Sequence, residues 1–168
     1  YEEFVAGLRS GRDGLTRSEH DPVPYPLGRV RGWTEPSVER VSPRLEGAAR
    51  RCVLSAVDAA RQAIGQAGLS EDGHDPQRRG VYLGTCQGFA GEPDSLRAQA
   101  ATLSLAHLAE EVATVLDVRG PAVTTTNACA AGGSAIALAD DALRRGRIDV
   151  AIVGGADSLA AFTIIGFD

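Results

Sequence analysis

Apolar residues fall into two kinds of segment that alternate along the chain. Short unbroken apolar runs at residues 80–85 ("GVYLGT"), 122–126 ("AVTTT") and 149–155 ("DVAIVGG") each predict a buried strand. Longer stretches at 94–116 and 129–145 repeat apolar positions three and four residues apart, which predicts helices. Strands without polar alternation, separated by helices, are typical of a parallel sheet covered on both faces. The predicted fold class is therefore α/β.

Two further helices are predicted upstream of this pattern. Residues 1–9 have the pattern of a helix that a glycine-containing turn closes. Five prolines between residues 20 and 43 predict an irregular surface segment. Ser42 and Pro43 then match an N-cap and a first helical position, and the apolar repeat that follows them ends at Gly68. We therefore predict a long helix from 43 to the residues just before Gly68.

The composition excludes several kinds of function. The 168 residues, 43% hydrophobic and 5% aromatic, suffice for one domain or for part of a larger one. No apolar run is long enough to cross a bilayer and no signal-peptide pattern is present, so we expect a cytoplasmic protein without membrane association. A net charge of −5 without a basic stripe argues against nucleic acid as a partner. All 17 basic residues are arginine, which excludes lysine-based covalent chemistry.

The three cysteines and the start of the chain add two expectations. Cys52, Cys86 and Cys129 are odd in number and widely spaced, so they predict neither a metal site nor a disulfide framework. We therefore expect the protein to reside in a reducing compartment. The chain contains no methionine and begins at Tyr1, so we expect it to be a segment of a longer protein.

Cys129 is placed where a predicted strand gives way to a predicted helix. Ligands and reacting groups of parallel α/β sheets gather at this edge, and a helix N-terminus favours a thiolate. Gly132 and Gly133 each destabilise the helix by about 1 kcal/mol relative to alanine. They suggest close approach by another backbone or by a ligand. A nucleophile and a small buried cysteine that packs as an apolar residue both fit this pattern.

Four short motifs around Cys129 carry a resemblance to a known family. They are "GP" at 120–121, "ACAAG" at 128–132, "RGRID" at 145–149 and "GGAD" at 154–157. In this order and spacing they closely resemble the β-ketoacyl-[acyl-carrier-protein] synthases of the thiolase-like superfamily, of the elongating type. Weaker similarity extends upstream through residues 56–88. The resemblance implies the N-terminal half of the layered αβαβα fold, as one incomplete domain over 1–168 that lacks the first strand and the C-terminal half.

The resemblance also implies a reaction. Cys129 would take an acyl chain from an acyl-carrier-protein thioester, and its backbone N–H would be one oxyanion-hole donor. Malonyl-carrier protein would then lose CO2 and attack the cysteinyl thioester, which is a decarboxylating Claisen condensation in fatty-acid or polyketide synthesis. No cofactor and no metal are implied. A preorganised N–H donor of this kind typically contributes about 3 kcal/mol to catalysis.

Three positions qualify the match. Asn127 stands where threonine is commoner, and with Ala128 it would border the substrate. Gln87 falls where the family often has a bulky apolar residue beside the acyl chain, so a polyketide, aryl or unsaturated acyl group is expected. Asp157 replaces the usual glutamate, and we expect it to be a structural hydrogen-bonding group and not an acid catalyst.

The family's two catalytic histidines and its second oxyanion donor lie in the C-terminal half. None of the three histidines of this chain, at positions 20, 74 and 107, matches them. His107, on a helix flank, is expected to be a surface or packing residue. We therefore expect the 168-residue chain alone to undergo acylation or alkylation at Cys129 but not to condense substrates.

The expected partners are the acyl-carrier protein and a second ketosynthase chain. Family members dimerise through the strand before the cysteine, here 122–126, as homodimers or ketosynthase heterodimers. The arginine pairs Arg50/Arg51, Arg78/Arg79 and Arg144/Arg145 are candidate contacts for the acidic carrier protein and its phosphopantetheine phosphate, with solvated surface charge as the alternative.

Three alternatives remain open. An α/β-hydrolase elbow requires glycine two residues on either side of its nucleophile, whereas this chain has Asn127 and Ala131 there. A biosynthetic thiolase shares the superfamily fold, but its cysteine has different surroundings. The third is a non-catalytic partner of the chain-length-factor type, which usually lacks the cysteine retained here, or a truncated, inactive synthase.

Overall fold

The computed structural model describes residues 2–16, 26–28, 30, 32–69, 73–86 and 107–157. These belong to two compact units, Tyr1–Thr34 and Glu35–Asp168. In the first unit, helix α1 (Glu2–Arg9) is followed by a turn at Gly11, whose φ is +67°. An antiparallel bridge between Thr16 and Leu27 lies further along this unit. The helix predicted over residues 1–9 is confirmed.

A three-stranded parallel sheet forms the centre of the second unit. Its strands are β1 (Arg79–Gly84), β2 (Ala122–Thr125) and β3 (Val150–Gly155), in the order β2-β1-β3. All three predicted strands and their parallel direction are confirmed. Gly84 is in register with Thr125 on one side and with Gly155 on the other. The carboxyl ends of the strands therefore meet at one edge of the sheet, and residues that follow them in sequence are brought together there.

Helices cover both faces of the sheet, as predicted. Helices α2 (Gly47–Gln66) and α3 (His107–Val115) share a buried cluster with Val81 and Leu83 of β1. On the opposite face Tyr82 packs against the alanines of α4 (Ala131–Arg144). Because side chains alternate along a strand, β1 contributes to both hydrophobic layers. The amino-terminal part of the helix predicted over 94–116 lies outside the described residues.

The start of α2 corrects the sequence prediction. Ser42 and Pro43 form a turn, in which the hydroxyl of Ser42 accepts from the backbone N–H of Arg44 at 3.3 Å. The helix begins only at Gly47, after an extended Glu46. Gly47 has a φ of +50°, so a continuous right-handed helix from Pro43 is not possible. The other end is as predicted, with Gly68 (φ +65°) closing the helix.

Helix α2 runs antiparallel to the strands. Its last turns line a cavity of about 790 Å³ together with Arg79 and Val150, which begin β1 and β3. Its second turn carries Cys52, which lies within the electrostatic influence of Asp157, just after β3. The first turn of α2 is therefore at the carboxyl edge of the sheet. None of the helices in the described part of the chain is long and apolar enough to cross a membrane.

Candidate active site

Cys129 lies at the carboxyl edge of the sheet, between β2 and α4. A 3₁₀ turn, Ala128–Ala130, carries it, and α4 begins at Ala131, two residues later than the sequence predicts. The cysteine is exposed, which removes the interpretation of Cys129 as a buried packing residue. Among the described residues no acceptor takes the backbone N–H of Cys129.

The residue before Cys129 has a strained backbone. Ala128 has a φ of +53°, a left-handed conformation that costs about 1–2 kcal/mol for a residue with a Cβ. Asn127, with φ −95° and ψ 52°, is also outside the regular helical and strand regions. Strain of this size persists only where the surroundings fix the conformation, and it is concentrated at functional sites. The turn that presents the sulfur is therefore held in place by specific contacts.

Gly84 allows α4 to rest directly on β1. A Cβ added at Gly84 would lie 2.4 Å from the carbonyl carbon of Ala131 and 2.5 Å from the nitrogen of Gly132. No side chain fits into this space. In contrast, a Cβ added at Gly132 or Gly133 would meet no described atom within 4 Å. The close backbone approach expected at Gly132 and Gly133 is therefore made by Gly84 of β1, which the sequence pattern did not single out.

Two side-chain hydrogen bonds connect the end of β2 to the first turns of α4. The hydroxyl of Thr125 donates to the carbonyl oxygen of Ala131 at 2.7 Å. The Nδ2 of Asn127 donates to the Oγ of Ser134 at 2.8 Å. The predicted substrate-contact residues Asn127 and Ala128 are thus exposed neighbours of Cys129, while Gln87 lies outside the described residues.

Asp157 holds the carboxyl ends of β1 and β3 together. Its Oδ1 accepts from the hydroxyl of Thr85 at 2.7 Å, and its two oxygens lie 3.1 and 3.0 Å from the backbone nitrogen of Cys86. Thr85 is 1% exposed. The prediction that Asp157 is a structural hydrogen-bonding group is confirmed.

The other two cysteines differ in environment. Cys52 is buried in the cluster between α2 and the sheet. Burial, and secondarily the negative charge of Asp157, raises the pKa of its thiol to about 12. Cys52 is therefore a neutral packing residue. Cys86 is exposed at the end of β1, on the same edge of the sheet as Cys129.

Two of the three histidines can be placed. His74 is exposed, and it precedes β1 at the amino end of the sheet. His107 begins α3 and lies 3.8 Å from a carboxylate oxygen of Glu110, which agrees with its prediction as a surface or packing residue. His20 lies outside the described residues. Within the described ranges, no group of three His, Cys, Asp or Glu side chains is arranged to hold a metal ion.

The six candidate arginines are divided between the two edges of the sheet. Arg78 forms a two-pronged ion pair with Asp149 at 2.6 Å, and it lies with Arg79 at the amino edge. Arg144 and Arg145 pair with aspartates one turn earlier in α4, at the end of the helix remote from Cys129. Of the three pairs, Arg50/Arg51 in the first turn of α2 is at the carboxyl edge.

Fold and site together define an α/β protein with an exposed cysteine at the carboxyl edge of a parallel sheet. The chain belongs to the family described as "Beta-ketoacyl synthase, N-terminal domain", whose family model matches residues 1–168. A solved ketosynthase from module 6 of the bacillaene synthase of Bacillus subtilis 168 superposes with a TM-score of 0.69 over 99% of this chain and 30% of that one. At 20% identity, this likeness concerns the fold.

Curated relatives agree with the family. Nodulation protein E of Rhizobium sp. (strain N33) is 36% identical in an alignment 128 positions long, which covers 68% of this chain and 32% of that protein. The tetracenomycin polyketide synthase ketoacyl synthase alpha subunit of Streptomyces glaucescens is 29% identical in an alignment 184 positions long, which covers 96% of this chain and 43% of that subunit. The chain thus spans less than half the length of these relatives.

Proposed function

We propose that the chain is the nucleophile-bearing part of a β-ketoacyl synthase and that Cys129 accepts the acyl group. The sulfur attacks the carbonyl carbon of an acyl-carrier-protein thioester. The tetrahedral oxyanion then collapses, expels the carrier thiol, and leaves the acyl group on Cys129. The observation that carries this proposal is the exposed Cys129 in a strained turn at the carboxyl edge of the sheet.

The backbone N–H of Cys129 fits the role of an oxyanion donor. It makes no hydrogen bond within the described part of the chain, and the turn that holds it is already fixed before a substrate arrives. Such a preorganised donor acts where negative charge develops in the transition state. Of the two described histidines, His74 lies at the amino end of the sheet, whereas His107 begins α3 near the end of β2, where the backbone N–H of Ala109 donates to the hydroxyl of Thr124 at 3.1 Å. The later condensation with a malonyl thioester, with loss of CO2, would draw on the family's catalytic histidines.

The acyl group is proposed to be of the polyketide type. The tetracenomycin subunit and several other relatives are described as polyketide synthases. Gln87, Asn127 and Ala128 are proposed to border the acyl chain, and a polar amide at Gln87 would disfavour a saturated one. Gln87→Ile should raise the acylation rate with a saturated donor relative to a polar one. An unchanged ratio would remove Gln87 from this role.

The carrier protein is proposed to approach past the first turn of α2. Arg50 pairs with Glu35 at 2.6 Å, whereas the exposed Arg51 makes no ion pair with another described residue. A guanidinium at this position suits the phosphopantetheine phosphate or an acidic surface. Strand β2 lies at one side of the sheet, with no described strand beyond it, so it is the proposed site of pairing in a homodimer or ketosynthase heterodimer.

Peptide-resolved mass spectrometry after incubation with an acyl-carrier-protein thioester tests the proposal. We expect one acyl group on Cys129, loss of labelling in Cys129→Ser, and unchanged labelling in Cys86→Ser. Cys86 is the matched control because it is exposed at the same edge of the sheet. Equal labelling of Cys86 and Cys129 would indicate non-specific transacylation. No labelling of Cys129 by saturated or polar donors would favour the non-catalytic, chain-length-factor type of partner.

A further inference from the structure

The turn that carries Cys129 receives little support from packing. Residues 126–130 are all exposed, so no buried side chain of the turn anchors it to the core. The left-handed Ala128 within it nevertheless needs compensation. Hydrogen bonds must therefore supply the restraint.

One of four hydrogen bonds that cross the turn runs from the backbone N–H of Ala131 to the carbonyl oxygen of Ala128 itself. Three more involve the residues on either side of Ala128. The hydroxyl of Thr125, which precedes the strained Ala128, donates to the carbonyl oxygen of Ala131. The backbone N–H of Ala130 donates to the carbonyl of Asn127 at 3.2 Å. The third joins the Nδ2 of Asn127 to the Oγ of Ser134, one turn into α4. It is the bond of the three that ties the residues immediately before Cys129 to a side chain of the helix.

We propose that Asn127 and Ser134 act as one positioning pair for Cys129. This inference rests on the proposed function of Cys129 as a nucleophile, and it gives Ser134 a role that the sequence did not suggest. Neither residue needs to touch the reacting atoms. The pair keeps Ala128 in its left-handed conformation, and this keeps the sulfur and the N–H of Cys129 beside the amino end of α4. If the bond is lost, the turn can relax toward negative φ and both groups move.

Alkylation by iodoacetamide tests the pair without an acyl donor. Iodoacetamide alkylates the sulfur of an exposed cysteine, so its rate at Cys129 depends on how the turn presents that sulfur. We expect Asn127→Ala and Ser134→Ala each to lower the alkylation rate of Cys129 relative to Cys86 by about threefold to tenfold, the range for one lost hydrogen bond. The double variant should be no slower than the slower single variant, because both changes remove the same bond. Ser134→Thr keeps the hydroxyl and should restore the ratio.

A control and a second readout separate positioning from folding. Ser55→Ala removes a helix hydroxyl that, among the described residues, binds only the carbonyl of Cys52, and it should leave the ratio unchanged. With an acyl-carrier-protein donor, the Ser134→Ala variant should lose acylation rate at saturation while the half-saturating concentration stays the same. A melting temperature equal to that of Ser55→Ala would show that the fold is intact.

The two proposals fail in different ways. The positioning pair is overturned if both single variants keep the wild-type alkylation ratio. It is also overturned if the double variant loses as much alkylation rate as the two single variants combined. Either result counts even if Cys129 is acylated normally. A wild-type chain that is never acylated at Cys129 overturns the proposed function. In that case the alkylation ratios still decide whether the pair fixes the turn.

Discussion

At the scale of single residues, the site depends on a few positions where one chemical group decides the geometry. Gly84 is the clearest, because any side chain would collide with the backbone at the start of α4. Cys52 is another, since a buried thiol must stay protonated. The motifs around Cys129 identified this residue from the sequence. Gly84 and Ser134 could not be identified in the same way, because their roles depend on contacts that only the folded structure shows.

Gly84→Ala should destabilise the chain strongly, whereas Gly133→Ala should not. The new Cβ at Gly84 lies 2.4 Å from a backbone carbon, and overpacking of this kind typically costs about 1–3 kcal/mol. At Gly133 the Cβ meets no described atom within 4 Å, and alanine should stabilise the helix by about 0.5–1 kcal/mol. Urea unfolding of both variants measures the difference. Equal effects would contradict the close contact between β1 and α4.

Stability should fall at alkaline pH because of Cys52. Its pKa is raised from 9.0 to about 12 by burial, so the folded chain keeps a proton that the unfolded chain releases above pH 9. The stabilisation is complete below the unfolded pKa and is lost as the pH rises toward the folded pKa. The free energy of unfolding should decrease by up to about 1.4 kcal/mol per pH unit in this window.

Denaturant unfolding between about pH 8 and pH 10.5 measures this slope. Cys52→Ala should remove most of it, despite a lower stability at neutral pH from the cavity. Cys86→Ala, at an exposed thiol, should retain it. The buried Tyr82, whose pKa is also raised by desolvation, contributes in the same direction above about pH 10. An identical slope in Cys52→Ala would contradict the assignment to Cys52.

At the scale of elements, the strands and helices were largely predictable because their hydrophobic pattern follows directly from burial. The exceptions are at element ends. Pro43 satisfied the sequence rule for a helix start, yet the left-handed Gly47 moved that start to a later residue. The 3₁₀ turn ahead of α4 could likewise not be predicted from the sequence, because alanines and a cysteine fit a 3₁₀ turn and an α-helix equally well.

Asp157→Ala should loosen the carboxyl edge of the sheet. The carboxylate joins β3 to Thr85 and Cys86 at the end of β1, and hydrogen bonds to charged groups contribute about 1.5–3 kcal/mol. We expect a loss of stability in this range by chemical unfolding. Asp140→Ala is the control, because it removes an exposed pair with Arg144 and should have no measurable effect. Wild-type stability in Asp157→Ala would show that the bonds contribute little.

At the scale of the whole molecule, the directions in which the strands and helices run determine how far each charged surface residue lies from Cys129. The sequence identified three arginine pairs without ranking them, because it could not show which end of the sheet each pair would occupy. Helix α4 extends about 20 Å from its start beside Cys129 to Arg144, at 1.5 Å per residue. Only the Arg50/Arg51 pair of the three lies on the edge of the sheet where a thioester would enter.

Arg51→Glu should weaken acylation by the carrier protein, and Arg145→Glu should not. We expect a several-fold higher half-saturating concentration of acyl-carrier protein for Arg51→Glu, with an unchanged rate at saturation and a smaller effect at high salt. A short acyl thioester without the carrier protein should react equally with both variants. Equal effects of the two charge reversals would exclude a docking role specific to Arg51.

The contact of α4 with Gly84 has a consequence for how such a protein diverges. Main-chain atoms of a strand and a helix touch there without any side chain between them. The start of α4 is thereby held against β1 by main-chain atoms, which substitutions other than one at Gly84 leave in place. Side chains outside the Asn127–Ser134 pair can then change over generations to admit new acyl groups, while the helix that begins beside Cys129 keeps its place.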